Sequence, residues 1–417
     1  MKTFGSVMVM SVLWCTAATA TAAILDVCRE CPLQSVTAGI ARAGSGDTLR
    51  IHAGLYQEGT IVIDKPLQIV GIDGPVIDGR HAGHVFHVRA DQVTLEGLTI
   101  QNGGMSDIAD LAGVRVERSR GCAIRRNRFY HNTYSVYLAR VTGCDVRDNI
   151  IQSEARGEVS GGNGIHLWHA QEIDIAGNSI TGHRDGLYFE FAERCRIEKN
   201  SVHDNIRYGL HFMFSHENHY ADNVFSRNQT GVAVMYSRHI RMVRNQFAES
   251  WGRASYGLLL KDIVDSHIAE NDFIGNTIGI YADGSNRNTF RHNRFHYNGW
   301  AVHLLGSSDA NTFVENDFHS NYFSVTTNTR HPLNTFARNY WDEYQGYDLD
   351  RDGWGDVPFR PMKLFNLWLN RYPELIVLFG SPVIEFLEVA ERVFPVLTPR
   401  MLQDTIPSMH PLVAVAQ

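Results

Sequence analysis

The sequence predicts an all-β fold, a right-handed parallel β-helix of about a dozen coils with a small helical C-terminal appendage. Three observations carry this prediction. An Asn returns at a nearly fixed interval, an apolar residue stands two positions after each of these Asn residues, and a Gly opens an alternating segment between them. Self-similarity at a fixed period is typical of a solenoid in which one supersecondary unit stacks on the next. Because no helical period interrupts the repeat, each unit is expected to be one coil of short strands.

The recurring Asn residues are interpreted as a structural ladder. They are spaced 22 to 29 residues apart, and Phe is the commonest residue two positions later. Asn tolerates the left-handed conformation that a tight turn needs, and stacked side-chain amides hydrogen-bond from coil to coil. None of them is therefore assigned to a functional site. The ladder consists of Asn127, Asn149, Asn178, Asn200, Asn223, Asn245, Asn271, Asn293, Asn316 and Asn339.

The Gly-led segments predict which side chains leave the core. Side chains alternate faces along a strand, and positions Gly+1 and Gly+3 are almost all aliphatic or Phe, so positions Gly+2 and Gly+4 are expected to face outward. Extra residues near 102–112, 152–162 and 249–255 all follow the Asn turn and precede the Gly segment. Insertions that emerge from one edge build one surface, commonly a binding surface.

Five regions are expected along the chain. Residues 1–22 form a signal peptide, residues 23–50 an N-terminal cap and residues 51–341 the β-helix repeats. Residues 342–362 form an acidic segment suited to a metal ion, and residues 363–417 form a helical and extended tail that docks on a partner.

The two ends of the chain carry separate expectations. Lys2 precedes an apolar run that ends in a small-residue cleavage motif at Ala22, as in a secretory signal. In the tail, repeated Pro residues divide the helical pattern into short pieces. Its distal part, from about Leu397, is expected to become ordered only on a partner. The alternative is that the tail caps the last coil.

Charge excludes one class of partner. The net charge is −7 and charges of both signs are mixed along the chain, so there is no basic stripe of the kind that binds nucleic acid.

The cysteines divide into two groups. Cys28 and Cys31 form a Cys-x-x-Cys that suits either a disulfide in an oxidising compartment or a soft-metal site, and we favour the disulfide. Cys122, Cys144 and Cys195 each stand five residues before a ladder Asn. They are interpreted as members of an interior row of small side chains.

A soft-metal site is predicted on the outward face of the Gly-led strands. His211, Met213 and Met235 occupy Gly+2 or Gly+4 positions of two neighbouring repeats, and His216 follows on the first of them. Thioether and imidazole ligands suit Cu(I). The alternative interpretation is a patch that docks a protein.

A second, oxygen-rich metal site is predicted after the repeats. Asp348, Asp350, Asp352 and Asp356 stand at positions 1, 3, 5 and 9 of a calcium-loop pattern, with a Gly at position 6. Phe359 occupies position 12, where such loops carry a bidentate Glu. The segment therefore suits Ca²⁺ or Mg²⁺ in a structural role, or else it is a turn in which Asp side chains cap their own backbone.

Catalysis is the third possibility. Many β-helices act on acidic polysaccharides, which requires a base, an acid and a cationic group close together. Lys261, Tyr281, Asp283 and His303 lie on consecutive repeats and are the candidates for a periplasmic polysaccharide lyase or epimerase. They are sparse, so a non-enzymatic role is favoured.

Two segments resemble the NosD family. The first segment runs from Gly209 to Arg238 and begins with Gly-Leu-His-Phe-Met-Phe-Ser-His-Glu-Asn. The second segment runs from Asn339 to Pro361. It begins with Asn-Tyr-Trp-Asp and contains Gly-Tyr-Asp-Leu-Asp-Arg-Asp-Gly-Trp-Gly-Asp. The likeness extends over essentially the whole predicted mature chain. It does not identify copper ligands, which are assigned from the face pattern alone.

The resemblance implies a periplasmic accessory protein for the maturation of nitrous oxide reductase. It implies a β-helix docked on the membrane subunits of an ABC transporter with its ATPase, attached peripherally to the inner membrane through these partners. It also implies a copper-donor lipoprotein as a partner and the reductase as the beneficiary. Separately, we expect no catalytic turnover by this chain alone, because the candidate catalytic residues are sparse.

Overall fold

The computed structural model describes residues 22–106, 108–155, 157, 161–329, 333–378, 380–394 and 401–412. The predicted signal peptide lies outside these residues except for Ala22. Over the described residues the chain winds as a parallel β-helix with three walls, each a parallel sheet whose neighbouring strands come from successive coils. Each full coil contributes to sheet 1, sheet 2 and sheet 3 in that order. The predicted fold class is confirmed.

The strands of each wall are short and evenly repeated. Sheet 1 consists of Ile24–Val27, Thr48–Ile51, Gln68–Gly71, Thr94–Glu96, Ala123–Arg125, Asp145–Arg147, Asp174–Ala176, Arg196–Glu198, His219–Ala221, Arg241–Val243, His267–Ala269, Thr289–Arg291, Thr312–Val314 and Thr335–Ala337. Sheet 2 consists of Leu55–Gln57, Val76–Asp78, Thr99–Gln101, Arg128–Tyr130, Ile150–Gln152, Ser179–Thr181, Ser201–His203, Val224–Ser226, Gln246–Ala248, Asp272–Ile274, Arg294–His296, Asp317–His319 and Tyr340–Trp341. Sheet 3 consists of Ile61–Ile63, Phe86–Val88, Ala112–Glu117, Tyr134–Ala139, Asn163–Trp168, Asp185–Glu190, Tyr208–Met213, Thr230–Met235, Tyr256–Lys261, Ile278–Asp283, Trp300–Leu304 and Phe323–Thr327.

Stacked side chains fill the interior. The Phe residues two positions after the ladder Asn form a column, and Phe273 and Phe295 within it stack with ring centroids 4.8 Å apart. The column ends on Trp341, which lies 4.2 Å from Phe318. Stacked apolar rows of this kind leave one continuous core along the helix axis. The three insertions lie at the corner between sheet 2 and sheet 3, so they border the outward face of sheet 3.

The Asn ladder stabilises the corner between sheet 1 and sheet 2, but not by the conformation predicted for it. The left-handed residue is the one before each ladder Asn, for example Asp222 with φ of 56° before Asn223. Each buried Asn instead joins neighbouring coils through the hydrogen bonds of its side chain and backbone. The Asn223 backbone N–H and Nδ2 both donate to Oδ1 of Asn245 on the next coil, and Nδ2 also donates to the Ile197 carbonyl.

A second amide ladder lies five positions further on, at the corner between sheet 2 and sheet 3. The sequence reasoning missed it. Asn276, for example, donates to Oδ1 of Asn298 on the next coil, through both its backbone N–H and its Nδ2. His183 takes one position in this ladder, where its backbone N–H donates to Asn205.

The N-terminal residues cover the first coil. Strand Ile24–Val27 pairs with Thr48–Ile51. Helix α1, Val36–Arg42, begins at the Ser35 cap, whose hydroxyl accepts the Ala38 N–H. Gly39 in this helix approaches the Leu49 side chain so closely that a Cβ would overlap it.

The cysteine pairing differs from the expectation at one place. The structure joins Cys28 to Cys31, and it also joins Cys122 to Cys144, with Cα atoms 4.5 Å apart on adjacent coils. Cys122 and Cys144 are buried in the interior row, as interpreted. The disulfide between them was not predicted, although strand spacing within a sheet brings stacked Cys residues within bonding range. Cys195 is free and buried, and burial raises the pKa of its thiol to about 12.

The C-terminal residues separate into a helical unit and a cap. Helix α2 spans Leu364–Arg371, a 3₁₀ helix spans Pro373–Leu378 and helix α3 spans Pro382–Val393. Phe365, Leu369 and Ile384 of these helices pack on Phe323 of sheet 3.

The segment 401–412 closes the end of the solenoid. Asp404 Oδ2 accepts hydrogen bonds from the Asn339 backbone N–H, from Asn339 Nδ2 and from Trp341 Nε1. Asp404 thus takes the place of the next ladder Asn. The expectation that the chain from about Leu397 is ordered only on a partner is wrong for residues 401–412, while Leu397 itself lies outside the described residues.

Candidate metal site and docking face

The outward face of sheet 3 carries the residues from which the soft-metal site was predicted. His211 and Met213 lie on one strand, and Met213 is the direct register partner of Met235 on the next coil. Their backbones are therefore one strand spacing apart, about 4.8 Å. The same row continues with Glu190 on one side and Lys261 on the other. The two thioethers are thus bounded by one acidic and one basic side chain.

His211 points out of the helix interior but is covered. It is only 7% exposed, because the rings of Tyr188 and Tyr208 lie 5.1 and 4.8 Å from its ring. Within the described residues neither of its ring nitrogens has a hydrogen-bond partner. Burial lowers the pKa of His211 to about 4, so the imidazole is neutral at pH 7. Neutral imidazole is the form that binds transition metals.

His216 lies apart from the other three predicted ligands. The chain turns a corner at Phe214, which has a left-handed φ of 50°, and Ser215 then points inward and is fully buried. His216 is on the far side of this corner, where burial and, to a smaller extent, the charge of Arg238 lower its pKa. Its Nδ1 is buried and has no partner among the described residues. The structure therefore groups His211, Met213 and Met235 on one face and places His216 on the next.

An exposed aromatic row borders the methionine pair, and the sequence reasoning missed it. The rings of His169, Phe191, Phe214 and Tyr236 stack on four successive coils, with centroids 4.6 to 5.4 Å apart. The three members after His169 are 38 to 40% exposed. The signal was present in the sequence, because each residue stands five positions after its strand Gly. The row therefore adds exposed apolar surface next to the strand ends that carry Met213 and Met235.

The acidic segment brings three of its four predicted ligands together. The carboxylates of Asp348, Asp350 and Asp352 each offer an oxygen within 4.8 Å of the others, and the charge of Asp352 raises the pKa of Asp350. Asp356 is engaged elsewhere and accepts the Leu349 N–H at 2.7 Å. Asp348 also accepts backbone N–H groups of its own loop, so part of its capacity serves the turn.

The residues considered for catalysis form two pairs. Lys261 is in register with Asp283, and Tyr281 with His303. Asp283 accepts a hydrogen bond from the Ser307 hydroxyl, and burial lowers the pKa of His303 to about 4. The arrangement offers one cation beside one carboxylate, with a neutral imidazole on a different row.

The C-terminal helical unit presents a broad apolar face. Val377 is 84% exposed, Phe386 is 74% exposed and Val383 is 66% exposed, whereas Ile384 on the opposite side of α3 is buried against sheet 3. Large exposed apolar patches mark sites of interaction with proteins or membranes. Over the residues that the structure describes, no helix combines the length and the apolar character needed to cross a membrane. This helical docking face comprises the exposed apolar residues Trp368, Ile376, Val377, Leu378, Val383, Phe386, Val389 and Val393.

Comparison with solved structures identifies the fold. The catalytic unit of a thermostable α-1,3-glucanase from Streptomyces thermodiastaticus superposes with a TM-score of 0.60 at 14% identity, covering 73% of this chain and 65% of that one. At this identity the likeness extends to the β-helix and no further.

Comparison of sequences identifies the family. The family model described as periplasmic copper-binding protein (NosD) matches residues 153–346. A protein of Pseudomonas aeruginosa named probable ABC transporter binding protein NosD is 30% identical over 391 residues, which cover 88% of this chain and 90% of that protein. A protein of the same name from Stutzerimonas stutzeri is 29% identical over 90% of each chain. With this identity and coverage, and with the β-helix described above, the chain belongs to the NosD family.

Proposed function

We propose that this chain is a periplasmic copper-handling subunit that docks on an ABC transporter and serves the assembly of the copper sites of nitrous oxide reductase. The observation that carries the proposal is the in-register pair Met213 and Met235 beside the neutral, unpartnered imidazole of His211. Soft thioether and imidazole ligands select Cu(I), and the family model that the chain matches is described as copper-binding. The rigid sheet fixes the spacing of these side chains before the ion arrives.

His216 is proposed as an outlying ligand that Cu(I) meets on entering or leaving the site. Its buried, unpartnered Nδ1 and a pKa lowered by burial suit it to this step. Because Phe214 separates it from Met213, it does not complete the same coordination sphere. Copper is thus the cargo of the protein, delivered by a copper-donor lipoprotein and passed toward the reductase.

The helical docking face is proposed to bind the membrane subunits of the transporter, whose ATPase lies on the other side of the membrane. Relatives at about 30% identity are named ABC transporter binding proteins, and the apolar face supplies surface that needs covering. The chain would then be held at the inner membrane through its partners. We propose no turnover by this chain, since no second acid or base among the described residues of their row lies next to Lys261 and Asp283. The row continues from Lys261 to Met235, and the imidazole of His303 lies on a different row.

A chelator competition tests the copper site. The variant Met213→Leu, Met235→Leu, His211→Gln keeps the volume of each side chain while removing the strong soft ligands. We expect its Cu(I) affinity to fall by at least about a hundredfold, with an unchanged circular-dichroism spectrum. The matched control, Met105→Leu with His267→Gln, removes ligands of the same chemistry elsewhere and should bind Cu(I) like the parent chain. Equal affinity of the first variant and the control would remove the site.

The acidic segment is proposed to hold Ca²⁺ or Mg²⁺ in a structural role. Three carboxylates of like charge stand close together, and a divalent cation would relieve their repulsion. Millimolar Ca²⁺ should raise the unfolding temperature of the parent chain but not that of Asp350→Asn, Asp352→Asn. If Ca²⁺, Mg²⁺ and a chelator all leave the unfolding temperature unchanged, the segment is not a metal site but a turn in which Asp side chains cap their own backbone.

A further inference from the structure

A groove lies between the C-terminal helical unit and the outward face of sheet 3, away from the methionine pair. Its volume is about 480 Å³, within the range of natural binding pockets. Ile278 and Trp300 line its sheet side, and Leu369 and Ile376 line its helix side. The walls are therefore largely apolar, contributed by two parts of the chain that are distant in sequence.

Two buried polar side chains on this groove have no hydrogen-bond partner among the described residues. Asn366 is 1% exposed and Thr326 is 2% exposed. Within the described residues, neither Oδ1 nor Nδ2 of Asn366 makes a hydrogen bond, and neither does Oγ1 of Thr326. A buried polar group without a partner is costly, and such groups are rare in native proteins unless something else satisfies them. Both residues line the groove, so a bound molecule there would supply the missing partners.

The residues that line the groove favour an uncharged ligand that carries an amide group. None of the described residues that line the groove carries a carboxylate, ammonium or guanidinium group. The imidazole of His303 also lines the groove, and burial lowers its pKa to about 4, which leaves it neutral at pH 7. The carboxamide of Asn366 offers a donor and an acceptor in one plane. Its natural complement is a second amide, which offers the same pair in reverse.

The rim of the groove favours a macromolecule over a small one. Ile376 lines the groove and is itself 43% exposed, and the adjoining Val377 and Leu378 are 84% and 42% exposed. The apolar surface therefore runs from the groove onto the helical docking face. A small molecule would fill the groove and leave this rim uncovered, whereas a protein segment would cover both.

We propose that the groove binds an uncharged, apolar peptide segment of the transporter's membrane subunits, with one backbone amide of that segment paired to the Asn366 carboxamide. This inference rests on the proposed docking of the chain on the transporter and adds the site on this chain at which the transporter segment binds. An apolar side chain next to the paired amide would lie against Trp300 and Leu369, and Thr326 would bond the following peptide group.

Substitutions that preserve shape test the proposal. Asn366→Leu and Thr326→Val remove the unpartnered groups without emptying the groove, so the purified chain should unfold at the same or a higher temperature. The same variants should bind the detergent-solubilised membrane subunits at least about tenfold more weakly. Thr335→Val, an exposed Thr on another wall of the solenoid, is the matched control and should bind like the parent chain.

The outcomes separate this inference from the proposed function. If the parent chain itself does not bind the membrane subunits, both the proposed docking and the proposed role of the groove in it are wrong. If the parent chain binds and Asn366→Leu binds equally well, docking stands and the groove is not its anchor.

Two further results would overturn the proposal by naming another occupant. Native mass spectrometry that finds a small neutral molecule on the parent chain and not on Asn366→Leu would assign the groove to that molecule. A chain ending at Leu412 that binds as weakly as Asn366→Leu would assign it to the C-terminal residues 413–417.

Discussion

At the residue scale, two buried polar side chains that stand twelve residues apart in the chain differ in whether the fold supplies their hydrogen-bond partners. Oδ1 of Asn223 accepts two hydrogen bonds from Asn200, and its Nδ2 donates twice. His211 makes none within the described residues. The hydrogen bonds of Asn223 stabilise the fold, whereas the ring nitrogens of His211 are available to bind a ligand such as a metal ion. This difference separates ladder residues from site residues more clearly than burial does.

Asn223→Ala should destabilise the protein far more than His211→Leu. The first change leaves buried groups of Asn200 and Ile197 without partners, which costs about 3 kcal/mol. The second removes two unsatisfied nitrogens and should change the free energy of unfolding by less than about 1 kcal/mol. Urea denaturation followed by circular dichroism measures both. Equal losses would mean that His211 has partners in solution that its burial conceals.

Buried histidines should make stability depend on pH. Burial lowers the pKa of His183 from 6.5 to about 4, so the unfolded chain binds a proton at this residue more readily than the folded chain. The stabilisation is complete above pH 6.5 and is lost as pH falls from 6.5 toward 4, by about 3 kcal/mol for this group.

His183→Asn tests this dependence with the residue that neighbouring coils carry at the same position, as Asn205 does. The variant should match the parent chain near pH 8 and lose less stability between pH 6.5 and 4. A pH profile of the unfolding free energy that is identical in the two proteins would contradict the assignment.

At the element scale, the segment 401–412 acts as the last rung of the solenoid. Asp404→Ala removes the acceptor for three donors of Asn339 and Trp341 and should lower the unfolding temperature by several degrees. Asp404→Asn keeps one acceptor oxygen and should recover most of that loss. A chain truncated after Phe394 should be at least as unstable as Asp404→Ala. Unchanged unfolding of the truncated chain would show that the last coil needs no cap.

Helix α3 should separate docking from folding. Phe386→Glu and Val383→Glu place charges on its exposed side, so the unfolding temperature should stay within about 2 °C of the parent value. Binding to the transporter's membrane subunits should be lost, because a desolvated, unpaired charge is costly in an apolar interface. Leu55→Glu, an equally exposed apolar position on sheet 2, provides the control. Normal binding by the α3 variants would place the docking face elsewhere.

At the scale of the whole molecule, the sequence predicted what depends on the repeat and missed what depends on contacts between distant parts. The Asn period and the Gly alternation correctly gave the coils and their outward rows, including the pairing of Met213 with Met235. Residues 401–412 were expected to become ordered only on a partner, but they cap the last coil. The sequence did not show this, because Asp404 occupies the position of the next ladder Asn without belonging to the repeat. The groove at Asn366 could not be predicted, since its walls come from sheet 3 and from helices that are distant from it in sequence.

We propose that this chain hands copper to the assembly of nitrous oxide reductase through the face that carries Met213 and Met235. The copper content of the reductase, purified from cells that lack this chain and carry either the parent chain or the Met213→Leu, Met235→Leu, His211→Gln variant, tests it most directly. We expect a copper-loaded reductase with the parent chain and with the Met105→Leu, His267→Gln control, and a reductase depleted of catalytic-site copper with the triple variant. A fully loaded reductase in cells with the triple variant, made at normal levels, would contradict it.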